Sequence, residues 1–104
     1  MSRVIYVELD GTLVETGTMK PVEAVVKRIK AALSQGDTVY IVSKEPRTEQ
    51  FRASYDLCEK YFGENLAHVG EVDLTDMTEF WSHRAVQLEK NTGRRLVPLK
   101  SFGG

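Results

Sequence analysis

The chain has a single cysteine, Cys58, so no disulfide can form within it. This excludes a secreted scaffold held by disulfides and fits a reducing compartment. Long apolar runs are also missing, since none approaches the roughly 18 residues that a membrane-spanning helix needs. The start, Met1-Ser2-Arg3 before a short apolar run, lacks the length and cleavage site of a signal peptide. We therefore expect a cytoplasmic protein without a membrane partner.

Neither charge is in excess. Lys and Arg number 14 and Asp and Glu 15, which gives a formal net charge of −1. The chain therefore has no general electrostatic attraction for nucleic acid, and we do not expect nucleic acid as a partner. A small basic cluster, Lys90, Arg94, Arg95 and Lys100, could bind an anion, but we interpret it as a solvated turn.

The chain does hold enough apolar residues for one core. It has 104 residues, 41% of them hydrophobic, which is the size of one domain. A domain of this size buries about two-thirds of the surface that its unfolded chain exposes. We expect one domain over residues 1–104, with 101–104 as a loose tail.

Strand and helix patterns alternate along the first two-thirds of the chain. Residues 3–9 and 38–43 are apolar runs without alternation, which is typical of buried strands in a parallel sheet. A helical pattern follows Pro21 and stops at Gly36, and a second runs from about 48 to 62. This order predicts a three-layer α/β domain with a mainly parallel sheet. A turn and one helix fill the stretch before residue 38, so no cap domain is expected.

The last third is harder to interpret. Residues 66–70 fit a third strand and 95–99 a further one. Residues 77–88 allow two interpretations, because Trp81, Ala85 and Leu88 have helical spacing while 77–81 fits a short strand. Four large aromatic residues and the cysteine are expected in the core, the cysteine buried and inert; they are Tyr55, Tyr61, Phe62, Trp81 and Cys58.

Polar side chains follow the first two predicted strands. Ligands of open α/β sheets bind at the carboxyl ends of strands. Glu8, Asp10 and Thr12 follow the first strand, and Ser43 and Lys44 follow the second. Paired carboxylates suit Mg²⁺ beside a substrate phosphate. Hydroxyl groups with an ammonium suit a phosphoryl group, so Thr12, Ser43 and Lys44 are the phosphate-binding candidates. The alternative is that these residues only end their strands.

We expect Glu8, Asp10 and Ser43 to lie in one shallow cleft. Whether or not a metal is bound, Asp10 is expected to accept a hydrogen bond from Thr12 or from a backbone amide. This expectation follows from their positions at neighbouring strand ends.

Residues 4–14, VIYVELDGTLV, resemble the first motif of the haloacid dehalogenase (HAD) superfamily of phosphohydrolases, a buried strand followed by D-x-D-G-T-[LV]. The run TVYIVS over 38–43 resembles the second motif, with Ser43 at the phosphate-binding position. Residues 77–95 resemble a small, cap-poor branch often met in phage genomes, where an apolar strand runs into D-D-R-A-V-Q and then N-T-G-R. The resemblance implies a HAD-like Rossmannoid fold without a cap, and it favours a strand at 77–81.

The chain departs from the family at the motif positions that do chemistry. In the family the first-motif acids are the nucleophile and the general acid/base. Their positions carry Glu8 and Asp10, which are the catalytic and metal-binding candidates if the chain is active. The paired acids of the fourth motif fall on Ser82 and His83. A gapless alignment puts Asp73 where the family has the lysine of its third motif.

Three alternatives stay open beside this alignment. Lys44 or Lys60 could replace the missing lysine. Gly70-Glu71 with Asp76 could form a fourth motif of the G-D-x₄-D type, but this leaves the DDRAVQ-like segment unexplained. His83 could bind a transition metal with His68, although we interpret His83 as a polar residue at a strand end.

The departures predict a pseudoenzyme. Replacing Asp by Glu moves the carboxylate by about 1.5 Å, and a misplacement near 1 Å costs about 10²-fold in rate. Mg²⁺ demands near-ideal geometry, so its binding is expected to be weak or absent. We expect a non-catalytic binding protein, viral by its resemblance, that engages a host protein or a small phosphorylated, nucleotide-like ligand. The alternative is an active Mg²⁺-dependent phosphohydrolase that acts on a small phosphomonoester or nucleotide.

Overall fold

The computed structural model describes residues 2–43, 49–84 and 91–94. The strands form one sheet in the order β3-β2-β1-β4, and every neighbouring pair is parallel. The predicted α/β class and parallel sheet are thus confirmed. The elements in chain order are β1 (Val4–Glu8), α1 (Glu23–Ser34), β2 (Thr38–Val42), α2 (Glu49–Phe62), β3 (His68–Val69) and β4 (Glu79–Trp81).

β1 lies inside the sheet because both of its faces are apolar. Ile5 and Val7 are fully buried on one face, and Tyr6 on the other face is 4% exposed. Tyr6 stacks on Tyr40 of β2, with ring centroids 5.0 Å apart. A strand that is apolar on both faces belongs where it has a neighbour on each side.

Both helices contribute to one core on the Ile5 and Val7 face of the sheet. Gly36, with φ +85°, follows α1 and allows the chain to turn back into β2. The described residues therefore show helical packing on one face, and a helical layer on the other face stays a prediction. The core includes Ile5, Val7, Val26, Ile29, Ala32, Val39, Ile41, Leu57, Cys58 and Leu66.

The later strands are shorter than predicted. β4 is a strand and not the start of a helix, but it begins at Glu79 rather than at residue 77. Just before it, the Thr78 amide donates to the Val4 carbonyl oxygen at 2.8 Å, and the Val4 amide donates to Thr78 Oγ1 at 3.0 Å, so a side-chain oxygen accepts there in place of a backbone carbonyl. β3 comprises two residues, whereas the sequence predicts a strand over 66–70. The predicted strand at 95–99, residues 85–88 of the helical alternative and the tail at 101–104 lie outside the described residues.

Cys58 is buried as predicted, and burial raises the pKa of its thiol to about 11. The aromatic residues lie at the edge of the core rather than inside it. Tyr61, Phe62 and Trp81 are partly buried against the core, and Tyr55 packs on His68 with ring centroids 4.3 Å apart. In the described part of the chain, no helix has the length and apolar character to cross a membrane.

Candidate functional site

The chain changes direction across the sheet at β1. It steps from β1 to β2 and β3 on one side, and then returns to place β4 on the other side. Such a switch point opens a crevice at the carboxyl ends of the two strands that flank it. Five residues that meet there are called the strand-end cluster: Glu8, Thr12, Ser82, His83 and Arg84.

Glu8 is the centre of this cluster. Its Oε1 accepts a hydrogen bond of 2.8 Å from Ser82 Oγ and lies 3.1 Å from His83 Nδ1. Its Oε2 accepts one of 2.6 Å from Arg84 Nη2. Burial by itself raises the pKa of Glu8, but the hydrogen bonds from Arg84 and Ser82 outweigh it and hold this pKa below its ordinary value. Both oxygens of an ionised carboxylate are therefore occupied.

A turn after β4 brings three consecutive side chains onto Glu8. The Arg84 amide donates to Ser82 Oγ at 3.0 Å, and the His83 amide donates to Thr12 Oγ1 at 3.0 Å. The second bond ties the turn to the loop after β1. Local hydrogen bonds of Ser and Thr hydroxyls commonly shape such turns.

Gly11 makes room for the His83 ring. It has φ +84°, and a Cβ at this position would lie 2.5 Å from a ring carbon of His83. A side chain here would therefore be strained in its backbone and would also collide with the ring. The ring packs directly on the Gly11 backbone.

Asp10 belongs to a different contact. Its Oδ1 accepts a hydrogen bond of 3.1 Å from the Gly17 amide, which confirms the predicted bond to a backbone amide. Gly17 lies on a small hairpin closed by an antiparallel bridge between Val14 and Pro21. Among the described residues Glu8 and Asp10 share no hydrogen-bond partner, so Asp10 secures the hairpin while Glu8 holds the turn after β4.

The predicted phosphate-binding residues Thr12 and Ser43 also have separate partners. Thr12 Oγ1 lies within hydrogen-bond distance of His83, 3.2 Å from its Nδ1. Ser43 is buried at the end of β2, and its amide donates to Val69 at 2.9 Å. Within the described ranges no hydrogen bond joins Ser43 to Glu8 or Asp10. Lys44 lies outside the described residues, so its role stays a prediction.

Asp73 of the gapless alignment and Asp76 of the alternative fourth motif lie at the other end of β4, whereas Glu71 of that motif follows β3. Asp73 closes a turn by accepting hydrogen bonds from the amide and hydroxyl of Thr75, at 2.9 and 2.6 Å. Asp76 accepts one of 3.1 Å from the Tyr6 hydroxyl. Both residues precede the amino end of β4, whereas Glu8 is at the carboxyl end of β1. The structure therefore brings neither the gapless third-motif position nor Asp76 to Glu8.

Two other sequence candidates also lie elsewhere. Lys60 is on α2, with Nζ 5.4 Å from the centre of the Tyr61 ring. His68 lies on β3, and β3 and β4 are at opposite edges of the described sheet, about 14 Å apart at the usual strand spacing. The two histidines therefore do not form one metal site.

His68 has a structural partner that sequence reasoning missed. Its Nε2 lies 2.6 Å from Ser54 Oγ, and its Nδ1 lies 2.8 Å from the Leu66 carbonyl oxygen. A carbonyl only accepts, so Nδ1 carries the proton and Ser54 donates to Nε2. Burial lowers the pKa of His68. The available signal was a serine on the otherwise apolar face of α2.

The strand-end cluster does not fit Mg²⁺. This ion needs oxygen ligands in near-octahedral geometry, but the Glu8 oxygens already accept from Ser82 and Arg84 and face His83. A second cation there would lie against the Arg84 guanidinium. The described residues contain no group of three or more His, Cys, Asp and Glu arranged to hold a metal.

Two cavities lined by described residues lie away from the cluster. One, of about 260 Å³, is between the end of α1, the start of β2 and residues 64–67. Another, of about 240 Å³, is between the hairpin and α2, and its lining includes Met19, Leu57 and Tyr61. Neither is lined by Glu8, Asp10 or Ser43, so the structure places neither cavity at the predicted cleft.

Arg84 is the functional candidate that sequence reasoning left without a role. It stands at the arginine of the DDRAVQ-like segment, directly after the positions expected to carry acids. That placement was the available signal, because any residue next to Ser82 and His83 is close to Glu8.

No protein-family model, curated protein or solved structure matches the chain.

Proposed function

We propose that the chain is a non-catalytic binding protein on a HAD-like scaffold, in which an ion pair takes the place of phosphoryl-transfer chemistry. The observation that carries this proposal is the bond of 2.6 Å between Arg84 Nη2 and Glu8 Oε2. It is joined by the contacts of Ser82 and His83 with Oε1. A nucleophile must direct a lone pair at an atom about 3–3.5 Å away, and here donors of the chain itself fill that space.

The lowered pKa of Glu8 also argues against a role as nucleophile. Hydrogen bonds that stabilise a carboxylate anion also make it a weaker base and nucleophile. Asp10 is held by Gly17 and shares no described partner with Glu8. One oxygen of Asp10 is therefore committed to the hairpin.

The donors that remain open to solvent favour an anionic ligand. The Arg84 side chain is 58% exposed and that of His83 is 43% exposed. The remaining donors of the Arg84 guanidinium suit a phosphate or carboxylate group. A small phosphorylated molecule is the ligand class that follows, and an acidic surface of a protein partner offers the same chemistry.

A turnover measurement tests the loss of catalysis. The native chain is compared with a variant that carries Glu8→Asp, Ser82→Asp and His83→Asp, using a generic phosphomonoester with and without Mg²⁺. Arg84 is kept because the family segment also has arginine. Native turnover is expected at background. Mg²⁺-dependent hydrolysis by the native chain that disappears in Asp10→Asn would overturn the proposal. Glu71→Asp, the same change at an exposed site, is the matched control.

A binding measurement tests the proposed recognition of an anionic ligand. The native chain is titrated with a nucleoside monophosphate and followed by NMR shifts of the residue 82–84 amides. Binding that Arg84→Gln weakens supports the proposal. If the monophosphate does not bind and no protein co-purifies from the native host, the binding function is wrong. Arg28→Gln, on the exposed side of α1, controls for a general loss of positive charge.

A further inference from the structure

The orientation of His83 fixes which ring nitrogen carries the proton. Nδ1 lies 3.1 Å from Glu8 Oε1 and 3.2 Å from Thr12 Oγ1. A carboxylate with a lowered pKa only accepts hydrogen bonds. Nδ1 therefore holds the proton, and in the neutral ring the lone pair is on Nε2.

That lone pair is available. Among the described residues no hydrogen bond or ion pair engages Nε2 of His83, and the side chain is 43% exposed. The ring is nevertheless held in place, because the His83 amide is bonded to Thr12 at 3.0 Å and the ring packs on Gly11. A carboxylate that orients an imidazole and leaves its far nitrogen open is the arrangement of an activated histidine.

The other histidine offers the opposite case. The chain has two, and both ring nitrogens of His68 are engaged, by Ser54 Oγ at 2.6 Å and the Leu66 carbonyl at 2.8 Å. Ser54 itself is fully buried. The molecule thus contains one oriented, open imidazole and one enclosed imidazole, so His68 is an internal control.

We propose that Nε2 of His83 is a phosphoryl-accepting nucleophile, modified once per chain by a small donor of the acyl phosphate or phosphoramidate class. This goes beyond the binding function, since it needs no turnover and no metal. With phosphoramidate, the Nε2 lone pair forms the N–P bond while the P–N bond of the donor breaks and ammonia leaves. The proton stays on Nδ1, hydrogen-bonded to Glu8, and the positive charge gained by the ring lies beside that carboxylate. Arg84, the next residue, is a cation for the transferred group.

The native chain is incubated with phosphoramidate and a chelator, with N-acetylhistidine in the same tube as a reference imidazole. Acid-labile phosphate is then located by peptide mapping. We expect His83 to be labelled faster than N-acetylhistidine and His68 to remain unlabelled until the chain is denatured. Labelling of His83 no faster than the reference, or labelling of native His68 at the same rate, overturns the proposal. The mapping needs no variant, so it does not depend on the folding of a mutant.

Glu8→Gln separates orientation from simple exposure. Glutamine still accepts from Nδ1 but carries no charge to stabilise the ring cation, so labelling should slow by about tenfold. Glu71→Gln, exposed on the chain after β3, should leave the rate unchanged. Equal rates in the native chain and in Glu8→Gln would show that His83 is merely exposed, and would contradict the role assigned to Glu8.

Discussion

The two ends of β1 carry similar chemistry and use it differently. At the carboxyl end, Glu8 meets Arg84 from the turn after β4 at 2.6 Å. At the amino end, Arg3 meets Asp37 at 2.9 Å and Glu79 of β4 at 2.7 Å. Each end thus joins β1 to β4 by an arginine–carboxylate contact. The amino-end network consists of Arg3, Asp37, Glu79 and Trp81.

The two ends differ in how far their polar groups remain exposed to solvent. The Asp37 side chain is 3% exposed, and its carboxylate accepts hydrogen bonds from the amide, Nε and Nη2 of Arg3. Trp81 Nε1 donates to Glu79 at 2.9 Å. At the carboxyl end the arginine side chain is 58% exposed and a histidine nitrogen is open. The same residue types therefore close one end of the sheet and leave donors and a lone pair available at the other.

The largest effect is expected from filling the space under His83. Gly11→Ala places a Cβ 2.5 Å from the ring at φ +84°. Left-handed backbone costs about 1–2 kcal/mol and crowding adds about 1–3 kcal/mol. Gly36→Ala is the matched control, because its φ is +85° and nothing lies within 4 Å. Urea denaturation should show the larger loss for Gly11→Ala. Equal losses would mean that the ring does not rest on Gly11.

The amino-end network should matter next, and its effect should depend on pH. Hydrogen bonds from the Arg3 amide and guanidinium lower the pKa of Asp37. The ionised form therefore stabilises the fold fully above the ordinary pKa of about 3.9, and this contribution is lost as pH falls through the lower pKa of the folded state.

Asp37→Asn should lower the urea midpoint at neutral pH and reduce its acid dependence. The same measurement on Glu8→Gln should show a smaller change, because the partner there is more exposed. A larger loss of stability in Glu8→Gln would reverse the comparison between the two ends.

The smallest effect is expected from the Glu8–Arg84 pair itself. Exposed ion pairs contribute about 0.2–1 kcal/mol and weaken in salt. A double-mutant cycle of Glu8→Gln and Arg84→Gln should give a coupling in this range that declines at high salt. A coupling well above it, insensitive to salt, would show that this pair is as structural as the one at Asp37.

The first half of the fold could be predicted closely. β2 ends one residue before the expected end at 43, β1 is one residue shorter than expected at each end, and α2 begins one residue later than expected. These elements are long, strongly patterned and bounded by glycine or polar residues, so local signals suffice. The sequence predicts a longer β3 because Leu66 and Ala67 are also apolar. The Ile41 amide of β2 does donate to the Ala67 carbonyl oxygen at 2.9 Å, but Leu66 is buried in the core outside the strand. Apolar character does not distinguish a strand from a buried loop.

The candidate site could be predicted in part. Glu8 was identified as a strand-end carboxylate, and Ser82 and His83 were placed near it through the motif resemblance. The division between Glu8 and Asp10 was not foreseen, because two acids two residues apart at a strand end suggest a pair. After the strand ends at Glu8 the alternation of side chains is lost, and Asp10 follows the hairpin instead.

The sequence by itself determined the class of fold, the central apolar strand and the presence of an acidic residue at its end, because these depend on short-range periodicity and on the burial of apolar side chains. Only the tertiary structure decided how the charges are paired. Ser82 and Arg84 are 74 and 76 residues from Glu8 along the chain, and their contacts depend on β4 lying beside β1 in one register. A charge pattern does not encode such a register, since each carboxylate has many possible partners and only packing of the strands selects one.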